Sequence, residues 1–151
     1  RAEAYYWKAQ PDLAAADINV VRERAHAPLI TAADVTIDYI FTERAKELYT
    51  EEPRHSEMVR VSFIFAKLNK DGYSLSTITT KNWYYDRIMK YNPFYKEPKY
   101  RFWDNTANMS PKHMLWPVPQ SVITANTMGV INQNFGYDGY ENNVPPLETI
   151  Q

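Results

Sequence analysis

Apolar residues recur at helical spacing through the first 72 positions and then stop recurring, which confines this chain to a helical front and an irregular back. Between Leu13 and His26, the residues Ala14, Ile18, Val21 and Ala25 fall on one helical stripe, while Arg22, Glu23 and Arg24 point mostly elsewhere. Pro11 stands in the first turn, where a missing N–H is harmless. With the short helix expected at the start of the chain, this stretch predicts an antiparallel helix pair. From Thr36 to Thr50, Ile37, Phe41, Ala45 and Leu48 line a second face, with Glu43, Arg44, Lys46 and Glu47 as its polar complement and Thr36 or Asp34 as N-cap. Pro53 then opens a helix in which Met58, Val61, Phe65 and Leu68 recur. It ends at Asn69-Lys70-Asp71-Gly72, with Gly72 expected to supply the left-handed cap.

Two helical hairpins joined by short turns predict a stacked arrangement like a tetratricopeptide superhelix, although no clean repeat of roughly 34 residues is present. Past Gly72, Asn82 to Met89 reads as one short capped helix, and the remainder is rich in Pro, Asn and Tyr. Pro117 and Pro119 hold their preceding residues extended, and Ser121 is expected to cap one helical turn. The fold class is therefore mainly α. Tetratricopeptide-like hairpins over residues 1–72 are followed by a loop-rich C-terminal region, 73–151, packed on the helices as part of one domain.

Several function classes fall away on composition. Seventeen Lys and Arg against eighteen Asp and Glu leave a formal charge of −1, so the basic field that drives phosphate-backbone binding is missing and nucleic acid is not an expected partner. The chain has no cysteine, which removes disulfides, thiolate nucleophiles and Cys-ligated zinc. Apolar runs such as Phe63 to Ala66 fall far short of the ~20 residues a spanning helix needs, so the segment is expected to be soluble. The opening Arg1 to Trp7 reads as the middle of a helix, and the natural N-terminus is expected elsewhere.

No catalytic or metal-ligating pattern stands out, and no cofactor is expected. His26, His55 and His113 show no metal-ligand spacing and read as surface or capping residues. Asn69 to Gly72 lacks the acidic ligands of a calcium loop and reads as a turn. Glu51 and Glu52 are adjacent, so they diverge and do not flank a bond as glycosidase carboxylates do. Asn108-Met109-Ser110 fits a glycosylation sequon, but Pro111 follows it and no weight is placed on it. Glu43, Arg44 and Glu47 read as a solvated face or as pins to an adjacent helix. With twelve Tyr and four Trp, aromatic content is the unusual feature. Trp83, Tyr84, Tyr85 and Trp103 are the candidate ligand contacts, because an aromatic face stacks on the apolar face of a pyranose while Asp86, Arg87 or Asp104 bonds its hydroxyls. The bland reading of the same rings is that they cover the helical core.

Four segments, in order, resemble the C-terminal part of the SusD/RagB family. They are Arg1-Ala2-Glu3-Ala4-Tyr5 with the run from Asp12 to Ala25 (DLAAADINVVRERA), Ile40 to Leu48 (IFTERAKEL), Tyr91 to Tyr95 (YNPFY), and Leu115 to Ile123 (LWPVPQSVI) continuing to Asn132 to Tyr137 (NQNFGY). The last block is the most specific, since no common structural requirement calls for such a string. One departure is the stretch Arg54 to Arg60, which keeps both arginines but lacks the family's tryptophan. The resemblance implies a non-enzymatic cell-surface lipoprotein of the outer membrane, held by an N-terminal lipid anchor outside this segment. It also implies binding of an oligosaccharide or polysaccharide, or a peptide in some members, for delivery to a SusC-like TonB-dependent transporter. Two rivals stand beside it: a tetratricopeptide-like module that grips a partner protein or peptide, which leaves the Trp-Pro-Val-Pro tail unexplained, and a carbohydrate-active enzyme, which needs two convergent carboxylates.

Overall fold

The computed structural model describes residues 1–91 and 109–145. Among them are six α-helices and no strand: α1 (Ala2–Trp7), α2 (Pro11–Arg24), α3 (Ile37–Glu47), α4 (Arg54–Lys67), α5 (Trp83–Tyr91) and α6 (Gln120–Ala125). The mainly α expectation holds. The chain divides into two compact units, residues 1–54 and 55–151. Nearly all of α4, which the sequence pattern groups with the first three helices, thus belongs with the C-terminal segment.

In the first unit the chain doubles back between α1 and α2, so that Arg1 Nε donates to Asp17 Oδ2 at 2.7 Å across the pair. Pro11 is the first residue of α2, as its ring requires. Small residues at the contact, Ala14 and Ala15, are buried with Ile18, Val35 and Ile40, and Tyr5, Tyr6, Ile30 and Tyr39 pack around them. Val21 is half-buried and Ala25 exposed, because the helix stops at Arg24 before the stripe does. The loop to α3 is tied by Asn19, whose amide donates to Ile30 O and accepts from Ile30 N, both at 2.9 Å. Asp34 closes a capping box with Thr31, and Thr36 caps α3 by accepting from Tyr39 N at 3.0 Å.

The second unit is built on α4, which buries Met58, Val61, Ser62, Phe65 and Ala66. Its end differs from the sequence expectation. Lys70 N donates to Phe65 O (3.1 Å) and Asn69 N to Ala66 O (3.3 Å) around Asn69 at φ +49, a Schellman closure. Asn69 is therefore the left-handed cap, and Gly72, at φ +77, serves the next turn. Leu68 lies past the last helical turn and is exposed. Asn82 caps α5 by accepting from Tyr85 N at 2.9 Å, while its amide donates to Ile78 O and Pro111 O.

Beyond residue 109 order comes from side-chain amides. Gln133, only 7 % exposed, accepts from Val118 N (2.7 Å) and donates to Val118 O (2.9 Å). Asn143 grips Gln133 in the same two-bond fashion, and Asn132 grips Val144. Asn134 donates to Trp116 O at 2.6 Å and Tyr137 to Leu115 O at 2.8 Å. Each carboxamide presents one donor and one acceptor, as a neighbouring peptide group would, so these residues stand in for the β-ladder the segment lacks. The Asn- and Gln-rich string has a structural cause after all. Ser121 is the second residue of α6 and makes no cap; Pro119 occupies the N-cap position.

Candidate ligand-binding surface

The aromatic residues singled out in the sequence divide into three groups. Trp83 and Tyr84 enter α5 on its buried side, 6 % and 7 % exposed. The Trp83 ring stacks on Phe65 at 5.9 Å between centroids with the Arg87 guanidinium 5.4 Å from its own. Tyr84 is held at both ends: its N–H donates to Ser62 Oγ at 2.8 Å, and its ring meets His55 edge-on at 5.2 Å. Ser62 in turn donates to Met58 O at 2.9 Å, so one buried hydroxyl joins α4 to α5. Neither ring offers the free face that stacking on a sugar requires, and for this pair the packing reading prevails.

Tyr85, one position on, is half-buried. Trp103 and its polar neighbour Asp104 lie outside the described residues. The polar groups beside α5 are engaged: Asp86 accepts from Tyr73 Oη at 2.8 Å, and Arg87, 9 % exposed, sits between the Trp83 and Tyr91 rings.

The charged residues of α3 act as pins. Glu43 accepts from Arg22 of α2 at 2.9 Å and from Lys46 at 2.7 Å. Burial alone raises the Glu43 pKa, but the hydrogen bonds from Lys46 and Arg22 outweigh it and hold the carboxyl below its usual range. Burial next to Glu43 pushes the Tyr39 hydroxyl up. Arg44 bridges Glu3 of α1, at 2.6 Å, and Glu52, while Glu47 pairs with Arg24. The Glu52 side chain is 4 % exposed and also accepts from Arg54 at 2.6 Å. Arg44 and Arg54 lie 5.1 and 4.9 Å from the centre of the fully buried Phe41 ring. These residues fasten helices and leave no open charged constellation for a ligand.

The histidines behave as capping and packing residues. His113 Nδ1 accepts from Ser110 N at 3.0 Å, closing the capping box of the turn Pro111–Met114. His26, at φ +51, ends α2 in the left-handed conformation. Among the described residues no group of three His, Cys, Asp or Glu side chains is placed to hold a metal.

One exposed ring escaped the sequence reading. Trp116 is 73 % exposed, yet its surroundings are ordered. Its carbonyl accepts from Asn134, Pro117 follows it, Val118 is held by Gln133, and the His55 ring lies 5.5 Å from it at a tilt. The available signal was the tryptophan ahead of a proline in a segment rich in carboxamides. Its weight depends on burial, which periodicity does not report in irregular chain.

Compared with known families, residues 1–137 match the SusD/RagB family model, described as the SusD family. No curated protein and no solved structure matches the chain.

Proposed function

We propose, on the premise that this chain belongs to the SusD family, that it is the C-terminal part of a non-catalytic glycan-binding protein at the outer-membrane cell surface. It passes oligosaccharides to a SusC-like TonB-dependent transporter. The observation that carries the reading is the family match, which runs through nearly the whole chain; membership implies a general role in glycan-binding nutrient uptake. Among the described residues no helix is long and apolar enough to cross a membrane. Attachment in this reading comes from a lipid anchor outside the segment. The helical front takes a tetratricopeptide-like arrangement, and the loop-rich back is part of the same domain. Of the aromatic candidates, Tyr85 and Trp103 stay as proposed ligand contacts, with Trp83 and Tyr84 as their support.

The test is calorimetric titration of plant, host and microbial oligosaccharides, with peptides as the contrast, into the full-length protein. Saturable binding of a glycan that Trp103→Ala weakens is the expected result. Binding of peptides and of no glycan overturns the reading in favour of a peptide-gripping module.

A further inference from the structure

Trp116 combines features that rarely occur together on a surface residue: a mostly exposed indole and a main chain fixed on both sides. Other exposed apolar side chains of the same segment are mounted too, Met128 with its N–H on Asn126 Oδ1 at 3.3 Å and Val144 clamped by Asn132, but neither carries a ring to stack. Around the indole, three hydrogen-bonding groups have no partner among the described residues. The first is its own Nε1–H. The second is Asn134 Oδ1, since the Asn134 amide nitrogen is the atom that donates to Trp116 O. The third is His55 Nδ1. His55 Nε2 lies 3.4 Å from His113 O, and a carbonyl only accepts, so Nε2 is the nitrogen that donates there and Nδ1 is left facing no partner.

We infer that Trp116, with His55 and Asn134 beside it, forms a sugar-stacking platform for a neutral pyranose residue of a glycan. The inference rests on the glycan-binding reading above and adds a site which that reading does not contain. The chemistry selects this class of ligand in three ways. A flat, exposed indole offers its π face to the apolar C–H face of a pyranose. The indole N–H and the Asn134 carboxamide oxygen are neutral and, with the imidazole nitrogen of His55, match hydroxyls; no Lys or Arg side chain is among these three groups. The cation nearest in sequence, Lys112, is already engaged, its Nζ donating to Gly136 O at 3.1 Å and lying 5.0 Å from the Tyr137 ring centre. Because the backbone under the ring is fixed before a ligand arrives, binding orders few new groups and loses little entropy.

The experiment uses the full-length protein labelled with 5-fluorotryptophan and an oligosaccharide that binds it in the titration above. The Trp116 fluorine signal is assigned by its disappearance in Trp116→Phe. Addition of the sugar is expected to shift that signal. Trp116→Ala is expected to weaken binding about tenfold or more and Trp116→Phe by much less, with melting temperatures unchanged because the amide bonds to this segment go to its main chain. If Trp116→Ala fails to fold, the fluorine shift in the wild-type chain decides alone. An unmoved Trp116 signal while the sugar binds overturns the platform and leaves the glycan-binding function standing. Failure of every sugar to bind overturns both, and a shift caused only by peptides overturns the ligand class.

Discussion

Between residues 1 and 54 the polar side chains mostly bond one another; between 109 and 145 they mostly bond main chain. In the first region Arg1 meets Asp17, Arg22 meets Glu43, and Arg44 meets Glu3 and Glu52. In the second, Gln133, Asn132, Asn134 and Asn143 each reach a backbone group. The difference follows from what each backbone does with itself. A helix satisfies its own peptide groups and leaves side chains free to pair by charge. An irregular segment must find partners for its peptide groups elsewhere, and a carboxamide, with a donor and an acceptor side by side, is the side chain shaped for that task. Asn19, which grips Ile30 in the loop before α3, is the one such two-bond clamp of the first region among its described hydrogen bonds.

The largest effect that would sharpen this contrast is expected at Gln133. Replacing it with Leu keeps the volume but strands Val118 N and O, and removes the 2.9 Å acceptor of Asn134 N. Unpaired groups cost roughly 1–3 kcal/mol each when fully buried; these three are part-buried, so the low end applies to each and a local loss of about 3 kcal/mol is expected in the C-terminal region. Hydrogen exchange would read it as a rise of about a hundredfold in the opening of the Val118 and Asn134 amides. Unchanged protection would show that the amide is ornamental and that packing alone holds the segment.

The second test exploits charge. Glu43 titrates below the usual carboxylate range, so its ion pairs add stability at pH values above that range. The contribution is lost as pH falls through its own lowered pKa. The Asp34 carboxyl, held down by its hydrogen bonds from Thr31, has the same sign. The carboxamide clamps do not titrate. Acid is thus expected to loosen residues 1–54 before it loosens the clamped segment. Glu43→Gln should cost about 1 kcal/mol at neutral pH, with the gap between variant and wild type closing below the carboxylate range. A gap that persists in acid would mean that Glu43 acts by shape rather than by charge.

How much of this could be read from the sequence follows the same division. The stripes of α2, α3 and α4, the cap at Thr36, the proline opening α2 and the capped helix after Asn82 were legible because helical periodicity and capping are local. The helix ends were less so. Gly72 was the natural candidate for the cap of α4, but a Schellman closure forms wherever the helix runs out, and here Asn69 meets it. The role of Trp83 and Tyr84 was not legible, because it depends on Ser62 and Phe65 of another helix. Nor was the purpose of Asn132 to Asn134, whose partners lie 12 to 18 residues away in the sequence.

The smallest expected effects lie at the turns, where the two regions differ again. Residues 1–54 contain no glycine, yet α1 closes in a Schellman motif, with Gln10 N donating to Tyr5 O at 2.9 Å around Ala9 at φ +55. α2 closes the same way around His26. A residue with a Cβ is strained there by roughly 1–2 kcal/mol, while glycine in the unfolded chain loses part of that gain to entropy. Ala9→Gly is therefore expected to stabilise the first unit by about 0.5 kcal/mol, read as a small rise in its unfolding midpoint. In the clamped region the substitution runs the other way. Gly136 sits at φ +76, and an added Cβ would lie 3.0 Å from Lys112 Cβ, so Gly136→Ala should destabilise by about 1 kcal/mol. Opposite signs would show that the helical front tolerates strained turns because its ion pairs and core hold them, whereas the clamped segment has to be built from turns that fit. A fall in stability for Ala9→Gly would mean that the Ala9 methyl packs well enough to outweigh the strain, and the contrast between the two regions would then rest on polar pairing alone.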